Sequence, residues 1–384
     1  MALMNTYGDR KTTLVKGEGT YVWDSNGNRY LDALSGIAVC GLGYNHPAVT
    51  EAISRQAQTL LHTSNLYLVE PQLELGSALT QISGMDRAFF CNSGAEANEA
   101  AIKIARKFGH ERGIDKPHMI TAERSFHGRT MGTLSATGND KIKQGFAPLL
   151  EGFSHAPYNS LDAILAAATP STVAIMVEPI QGEGGVNVPS PDYLAKLREL
   201  CDAKGWLLVL DEIQTGNGRT GRYFAYHHTG VLPDIVTTAK GLGNGVPIGA
   251  CLARGAAAEI LQPGNHGSTF GGNPMACSAA LAVINTLKDG KLMQRAEVLG
   301  ERIRAGLREQ LDDCSRVQDI RGLGLMIGIE LNQACGELVE AAKTQGLLCN
   351  VTAGNTIRLL PPLIISDAQT DDIIRIVASL VRNL

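Results

Sequence analysis

Lys240 closes the apolar run DIVTTAK (234–240), and a glycine follows it. A lone lysine at such a place usually snorkels to solvent. Held inside a crevice, it has a lowered pKa and its amine becomes a nucleophile able to form a Schiff base. Asp211, 29 positions upstream, ends a second apolar run, WLLVLDE (206–212), together with Glu212. A third run, DRAFFCN (86–92), leads into Ser93, Gly94 and Ala95 and then into a helix with Glu96 and Glu99 near its start. Small residues there leave backbone N–H groups free at a helix N-terminus, which suits a phosphate. An ordinary N-cap with acids favouring the helix dipole reads the same way.

A phosphate cradle, a lysine and a carboxylate together fit pyridoxal phosphate. That cofactor needs an anchor for its phosphate, a lysine for its aldehyde and an acid beside the pyridine nitrogen. Asp211 would then end a buried strand because its partner is a buried cation, a pairing tolerable only when both members are well hydrogen-bonded.

The elements that must position these residues alternate. Strands are expected over 86–92, 118–123, 173–179, 206–212, 234–240 and 248–254, with helices over 96–107 and 190–204 between them. That order predicts an α/β fold with a mainly parallel sheet and helices on both faces. Open parallel sheets bind ligands at the carboxyl ends of their strands. Asn92–Ala95, Glu123, Glu178, Asp211–Glu212 and Lys240 therefore form one group. The first forty or so residues read as short strands and turns, and a helix opens at Pro47. The expected division is an N-terminal segment (1–50), a large domain (51–274) and a small C-terminal domain (275–384) that begins with a linking helix and is joined by the N-terminal segment.

Composition bounds the partners. The 384 residues are 44% hydrophobic and 19% charged, with a net charge of −4. No basic patch stands out, so nucleic acid is not an expected partner. MALMNTYGDR lacks the apolar core of a secretory signal, and no apolar run approaches the ~18–20 residues of a membrane span. The eight cysteines form no CxxC pair, so reduced thiols in a cytoplasmic protein without a metal site are expected. The 43 glycines cluster in GEGG (182–185), GNGRTG (216–221), GLGNGVPIG (241–249) and GG (271–272). Clusters beside strand ends suggest backbone packed close to a ligand.

CNSGAEANEAAIKIAR (91–106), SFHGRT (125–130), VEPIQGEGGV (177–186), LLVLDEIQTGNGRTGR (207–222), DIVTTAKGLGNGVPIGA (234–250) and HGSTFGGNP (266–274) occur in this order. Through them the chain, from about Trp23 to Arg358, resembles the class III (subgroup II) pyridoxal-phosphate aminotransferases, and within them the acetylornithine branch. The resemblance implies fold type I: a seven-stranded, mainly parallel sheet flanked by helices, plus a smaller α+β domain. It also implies roles. Lys240 binds the cofactor and shuttles the proton, and Asp211 pairs with the pyridine nitrogen. Gln214 contacts the ring oxygen, and Ser93, Gly94 and Ala95 hold the phosphate. Phe126 stacks on the ring, with Glu212 and Ile213 among the cofactor contacts. Thr269 reaches the cofactor of a neighbouring subunit, which implies a homodimer with shared active sites.

Arg129 suits bidentate capture of a carboxylate, and the resemblance gives it the substrate carboxylate, with Ser268 helping. Glu183 and Arg358 resemble a switch pair that opens so that Arg358 can take the α-carboxylate of 2-oxoglutarate or glutamate. From the residues alone they read as a plain salt bridge. His127 is left as a positioning residue, and His46, His62 and His110 as surface or core positions. Two departures from the family pattern are Asn217, where an apolar residue is usual, and Asn244, where a third glycine is frequent.

The ornithine branch shares most of these motifs but carries a tyrosine early in the chain, which falls here at Gly36 or its neighbour. A second tyrosine falls at or beside Leu68. Their loss makes room for an acylated α-nitrogen. N2-Acetylornithine and 2-oxoglutarate are thus the expected substrates, with succinylornithine or ornithine as the alternative. An aminomutase, racemase or decarboxylase would not need the two-substrate set Arg129, Glu183 and Arg358. A nucleotide-binding α/β protein would show GxGxxG or GxxxxGK[ST], and neither occurs.

Overall fold

The apolar runs form strands because they are long enough to be buried on both faces. In a computed structural model, which describes residues 2–384, Thr172–Val177 and Leu207–Asp211 are buried at every position. Seven strands make one sheet, in the order Arg87–Cys91, Gly249–Ala253, Ile235–Thr238, Leu207–Asp211, Thr172–Val177, His118–Ala122 and Phe153–Ala156. Gly249–Ala253 runs antiparallel to both neighbours. The other pairings are parallel. Six strands therefore end on one rim, and Gly249 starts from that rim opposite Cys91.

The helix expected over 96–107 spans Gly94–Glu111. Ser93 caps it, its side chain accepting from the amide of Glu96 at 3.2 Å. Its buried stripe is mostly alanine and isoleucine, so it lies close on the sheet. A second layer holds the helix Pro274–Asp289 with Pro47–Thr59 and Glu70–Ser83 both packed against it.

Two smaller sheets flank this body. Leu14–Glu18, Tyr21–Asp24 and Arg29–Asp32 are joined by Leu347–Leu348 from the far end of the chain. Val317–Leu323, Met326–Leu331, Thr356–Leu359 and Asn350–Thr352 form the other. The helix Asp367–Arg382 opens with a reciprocal cap between Ser366 and Gln369. Among the described residues no helix is long and apolar enough to cross a membrane.

Candidate active site

The rim of the sheet opens into a cavity of about 380 Å³. Strand ends supply Asn92, Glu178, Asp211 and Lys240, and the loops behind them supply Ser93–Ala95, Phe126–Arg129, Ile213 and Gln214. Val39 and 245–248 close the opposite wall.

Asp211 is 4% exposed. Its Oδ2 accepts from His127 Nδ1 and from Asn98 Nδ2, both at 2.8 Å. Its Oδ1 accepts from the amide of Ile213 at 3.1 Å. Asn98 is fully buried and has no free capacity on its donor side: it also donates to the His127 carbonyl at 2.7 Å, while its oxygen accepts from Thr237 Oγ1 at 2.7 Å. Burial opposes charge on His127, but the hydrogen bond and charge of Asp211 outweigh it and raise the imidazole pKa.

Lys240 sits in left-handed backbone with φ +44°. Burial pushes its pKa down to about 8, against the upward pull of Glu183. Glu178 accepts from the amides of Phe126 at 3.1 Å and Gly182 at 3.3 Å, so one carboxylate tethers two cavity loops. Burial raises its pKa to about 7, against the opposing effect of His127.

At the helix start, Ser93 Oγ is used by the cap. The amides of Gly94 and Ala95 donate to no acceptor among the described residues. A Cβ on Gly94 would lie 2.7 Å from the Ile213 side chain, so only glycine leaves this cradle open.

Arg358 is fully buried on the strand Thr356–Leu359. Its Nη1 meets Glu183 Oε1 at 2.5 Å and donates to Gln214 Oε1 at 3.1 Å. Gln214 Nε2 in turn donates to Glu183 Oε1 at 3.3 Å. Burial would raise the Glu183 pKa, but Arg358 outweighs it and the net shift is downward. The pair does not line the cavity itself. Gln214 stands between them and it, with its amide committed to both partners. Arg129 lines the cavity and is exposed, its guanidinium carbon 5.6 Å from the Phe126 ring centre.

Two expected contacts lie elsewhere. Glu212 points away from the cavity, because successive residues of an extended chain face opposite sides. It accepts from the Tyr226 amide at 3.0 Å and from the Thr215 hydroxyl. Ser268 is outside the cavity wall, its Oγ accepting from Asn92 Nδ2 at 3.2 Å and Gly271 N at 3.0 Å. Thr269, expected at a neighbouring subunit's cofactor, is exposed and lies outside this cavity. From the 34–43 stretch the wall residue is Val39 and not Gly36. Asn98 was missed by the sequence reading, although a polar residue on the apolar stripe of a helix was a signal for it.

A doubly wound sheet with a half-buried lysine and a buried, hydrogen-bonded aspartate at its rim defines a class of enzyme. The family described as Aminotransferase class-III matches residues 4–381, and the chain belongs to it; the fold is fold type I of the pyridoxal-phosphate-dependent transferases. Among relatives, the acetylornithine aminotransferase of Nitrosomonas europaea is 53% identical, over 99% of this chain and 97% of its own. Among solved structures, the ornithine aminotransferase of Toxoplasma gondii is similar with a TM-score of 0.95 and 38% identity, covering 98% of this chain and 92% of its own. The acetylornithine aminotransferase of Elizabethkingia anophelis gives 0.88 and 35%, covering 99% and 96%.

Proposed function

We propose that the chain moves the terminal δ-amino group of N2-acetyl-L-ornithine to 2-oxoglutarate, giving N-acetyl-L-glutamate 5-semialdehyde and L-glutamate, in arginine biosynthesis. The observation that carries this reading is a pair of charge systems at one cavity: Lys240 and Asp211 on its wall, and Arg358 held by Glu183 just behind the wall residue Gln214.

The cavity fits pyridoxal 5'-phosphate. The free amides of Gly94 and Ala95 would hold its phosphate, Phe126 and Ile213 its ring and Asp211 its pyridine nitrogen, with Lys240 as the attachment point. When bound, that cofactor supplies an electron-withdrawing ring and a carrier for the amino group.

The chain's own residues do the rest. His127 and Asn98 fix the orientation of the Asp211 carboxylate through their hydrogen bonds to its Oδ2. Lys240, with a pKa of about 8, has an unprotonated fraction near neutral pH and can take and return a proton at Nζ. Arg129 offers a bidentate site for the carboxylate at the far end of the substrate. While the amine donor is bound, Glu183 neutralises Arg358. A 2-oxo acid brings its own carboxylate, which can displace Glu183 from the buried guanidinium.

The T. gondii likeness favours a second reading, an ornithine δ-aminotransferase. Succinylornithine carries its acyl group at the same end of the molecule as acetylornithine. The apolar Val39 on the cavity wall supports the acylated substrate.

We also read the protein as a cytoplasmic homodimer. All eight cysteines are free thiols. Leu66, Tyr67, Leu68 and Phe270 are at least 60% exposed. The segments bearing them abut, since Asn65 Nδ2 donates to the Ser268 carbonyl at 3.0 Å. Apolar exposure on this scale suits a protein interface. It would carry Thr269 toward the partner's cavity.

The test is a half-reaction. The purified holoenzyme, without any oxo acid, receives N2-acetylornithine or ornithine, and the visible cofactor band is followed. Fast conversion with the acetylated amine and slow conversion with ornithine is expected. The reverse order would make it an ornithine enzyme.

A further inference from the structure

Four consecutive residues beside the cavity, Ser35, Gly36, Ile37 and Ala38, have φ of +53°, +62°, +66° and +62°. Three of them carry side chains, for which left-handed backbone is costly. Such a turn persists only where its surroundings over-determine it. The next residue is Val39, which lines the cavity.

The 34–43 segment is tied on two sides. On one side it meets the chain that continues from Arg358. Ser35 Oγ donates to the Leu360 carbonyl, and the Leu363 amide to the Gly41 carbonyl, both at 2.7 Å. On the other side lies the turn that follows Lys240. There Asn244 Oδ1 accepts from the Leu42 amide at 2.8 Å, and Asn244 Nδ2 donates to the Gly43 carbonyl at 3.0 Å. Among the described residues these are the only hydrogen bonds between the 34–43 segment and residues 240–248. The turn is itself anchored from beneath, where Asn217 Nδ2 donates to Thr238 Oγ1 at 3.0 Å and to the Ala239 carbonyl at 3.1 Å.

We propose that Asn244 is a positioning residue that sets the selectivity of the cavity, by tying the left-handed 35–38 turn to the Lys240 turn and so fixing the Val39 wall over the lysine. Without that tie no hydrogen bond joins the segment to the Lys240 turn, and its remaining anchors are the 360–363 stretch, Asp32 beneath the amides of Leu34 and Ser35, and the Gly19–Tyr44 bridge just beyond its end. The strained turn can then relax, and the wall no longer holds its distance from Lys240. Asn244 itself does not line the cavity, so its loss acts on binding through the two wall segments that it joins, Val39 and 245–248. The inference rests on the reading of the site as one for an amine substrate.

The test uses the holoenzyme with two substitutions. Asn244 has φ +46°, a conformation that glycine adopts freely, so Asn244→Gly removes the tie and leaves the backbone unstrained. Asn244→Asp keeps the acceptor for Leu42 and loses the donor to Gly43. In Asn244→Gly, hydrogen exchange at the Leu42 amide should quicken roughly tenfold, with a smaller change in Asn244→Asp. The ratio of kcat/KM for N2-acetylornithine to that for ornithine should move toward one by roughly five- to tenfold, through KM more than kcat. Unchanged exchange at Leu42 overturns the tie. Faster exchange with an unmoved ratio overturns the role in selectivity. A wild type that prefers free ornithine sinks the substrate reading alone, because the tie is judged by movement of the ratio from either side.

Discussion

Asn98 and Asp211 are joined by a buried hydrogen bond of 2.8 Å, to the same carboxylate oxygen that binds His127. The asparagine sits on the buried stripe of the Gly94–Glu111 helix, whose first turn carries the free amides of Gly94 and Ala95. In the proposed reading one helix would position both ends of the cofactor: its N-terminus by free amides, its flank through Asn98. Asn98→Ala leaves Thr237 without its acceptor and Asp211 with one donor fewer. The expected cost is about 1–3 kcal/mol of stability, together with faster loss of cofactor on dialysis. Thermal melts and absorbance after dialysis check it. A variant that melts and retains cofactor like the wild type would remove Asn98 from this role.

Glu183 and Arg358 make separable predictions. Arg358→Lys loses the fork that meets both Glu183 and an incoming carboxylate. The expected loss is about 2–5 kcal/mol in the 2-oxoglutarate half-reaction, with a much smaller effect on the amine half-reaction. Glu183→Gln frees Arg358 at all times and should lower the KM for 2-oxoglutarate. Single-turnover measurements of each half-reaction decide the matter. Equal losses in both halves for Arg358→Lys would make the pair a structural salt bridge.

The sequence shows the rim more readily than the wiring behind it. Lys240, Asp211 and the Gly94 cradle were legible because each ends an apolar run, and parallel strands must end together. Phe153–Ala156 was not, because an edge strand of four residues with two polar ones carries no apolar run. The helix Glu70–Ser83 escaped for a similar reason, its buried positions being only Leu75, Leu79 and Ser83. The antiparallel direction of Gly249–Ala253 depends on pairing partners that periodicity does not encode. Glu212, which the resemblance placed among the cofactor contacts, faces away from the cavity, because successive residues of an extended chain alternate sides. The Asn98 and Asn244 contacts join residues 113 and 202 positions apart, and no local pattern reports them.

Lys240 should titrate far below an ordinary lysine. In the cofactor-free protein its reaction with an amine reagent, followed residue by residue by mass spectrometry, should rise through a midpoint near pH 8. Surface lysines should do so near ~10.4. Glu183 favours the charged form of Lys240, so Glu183→Gln should move the midpoint lower. A midpoint shared with surface lysines would mean that the Lys240 amine is solvated.

Glu212 gives stability a pH dependence of definite sign. Burial raises its pKa to about 7, more than the Thr215 hydrogen bond lowers it, whereas an unfolded glutamate titrates near ~4.3. Between those values the folded chain keeps a proton that the unfolded chain releases, so stability falls as pH rises through that window. The contribution is fully present below the unfolded pKa and is lost above about pH 7. Glu212→Gln has no such proton. Relative to wild type it should therefore gain about 2 kcal/mol between pH 5 and pH 8. Glu178 has the same direction of shift but is present in both proteins, so its part cancels in the difference. Urea unfolding of both proteins at the two pH values checks the sign. A difference that stays flat, or that grows in favour of wild type at pH 8, would mean that Glu212 is already ionised in the folded protein at pH 5.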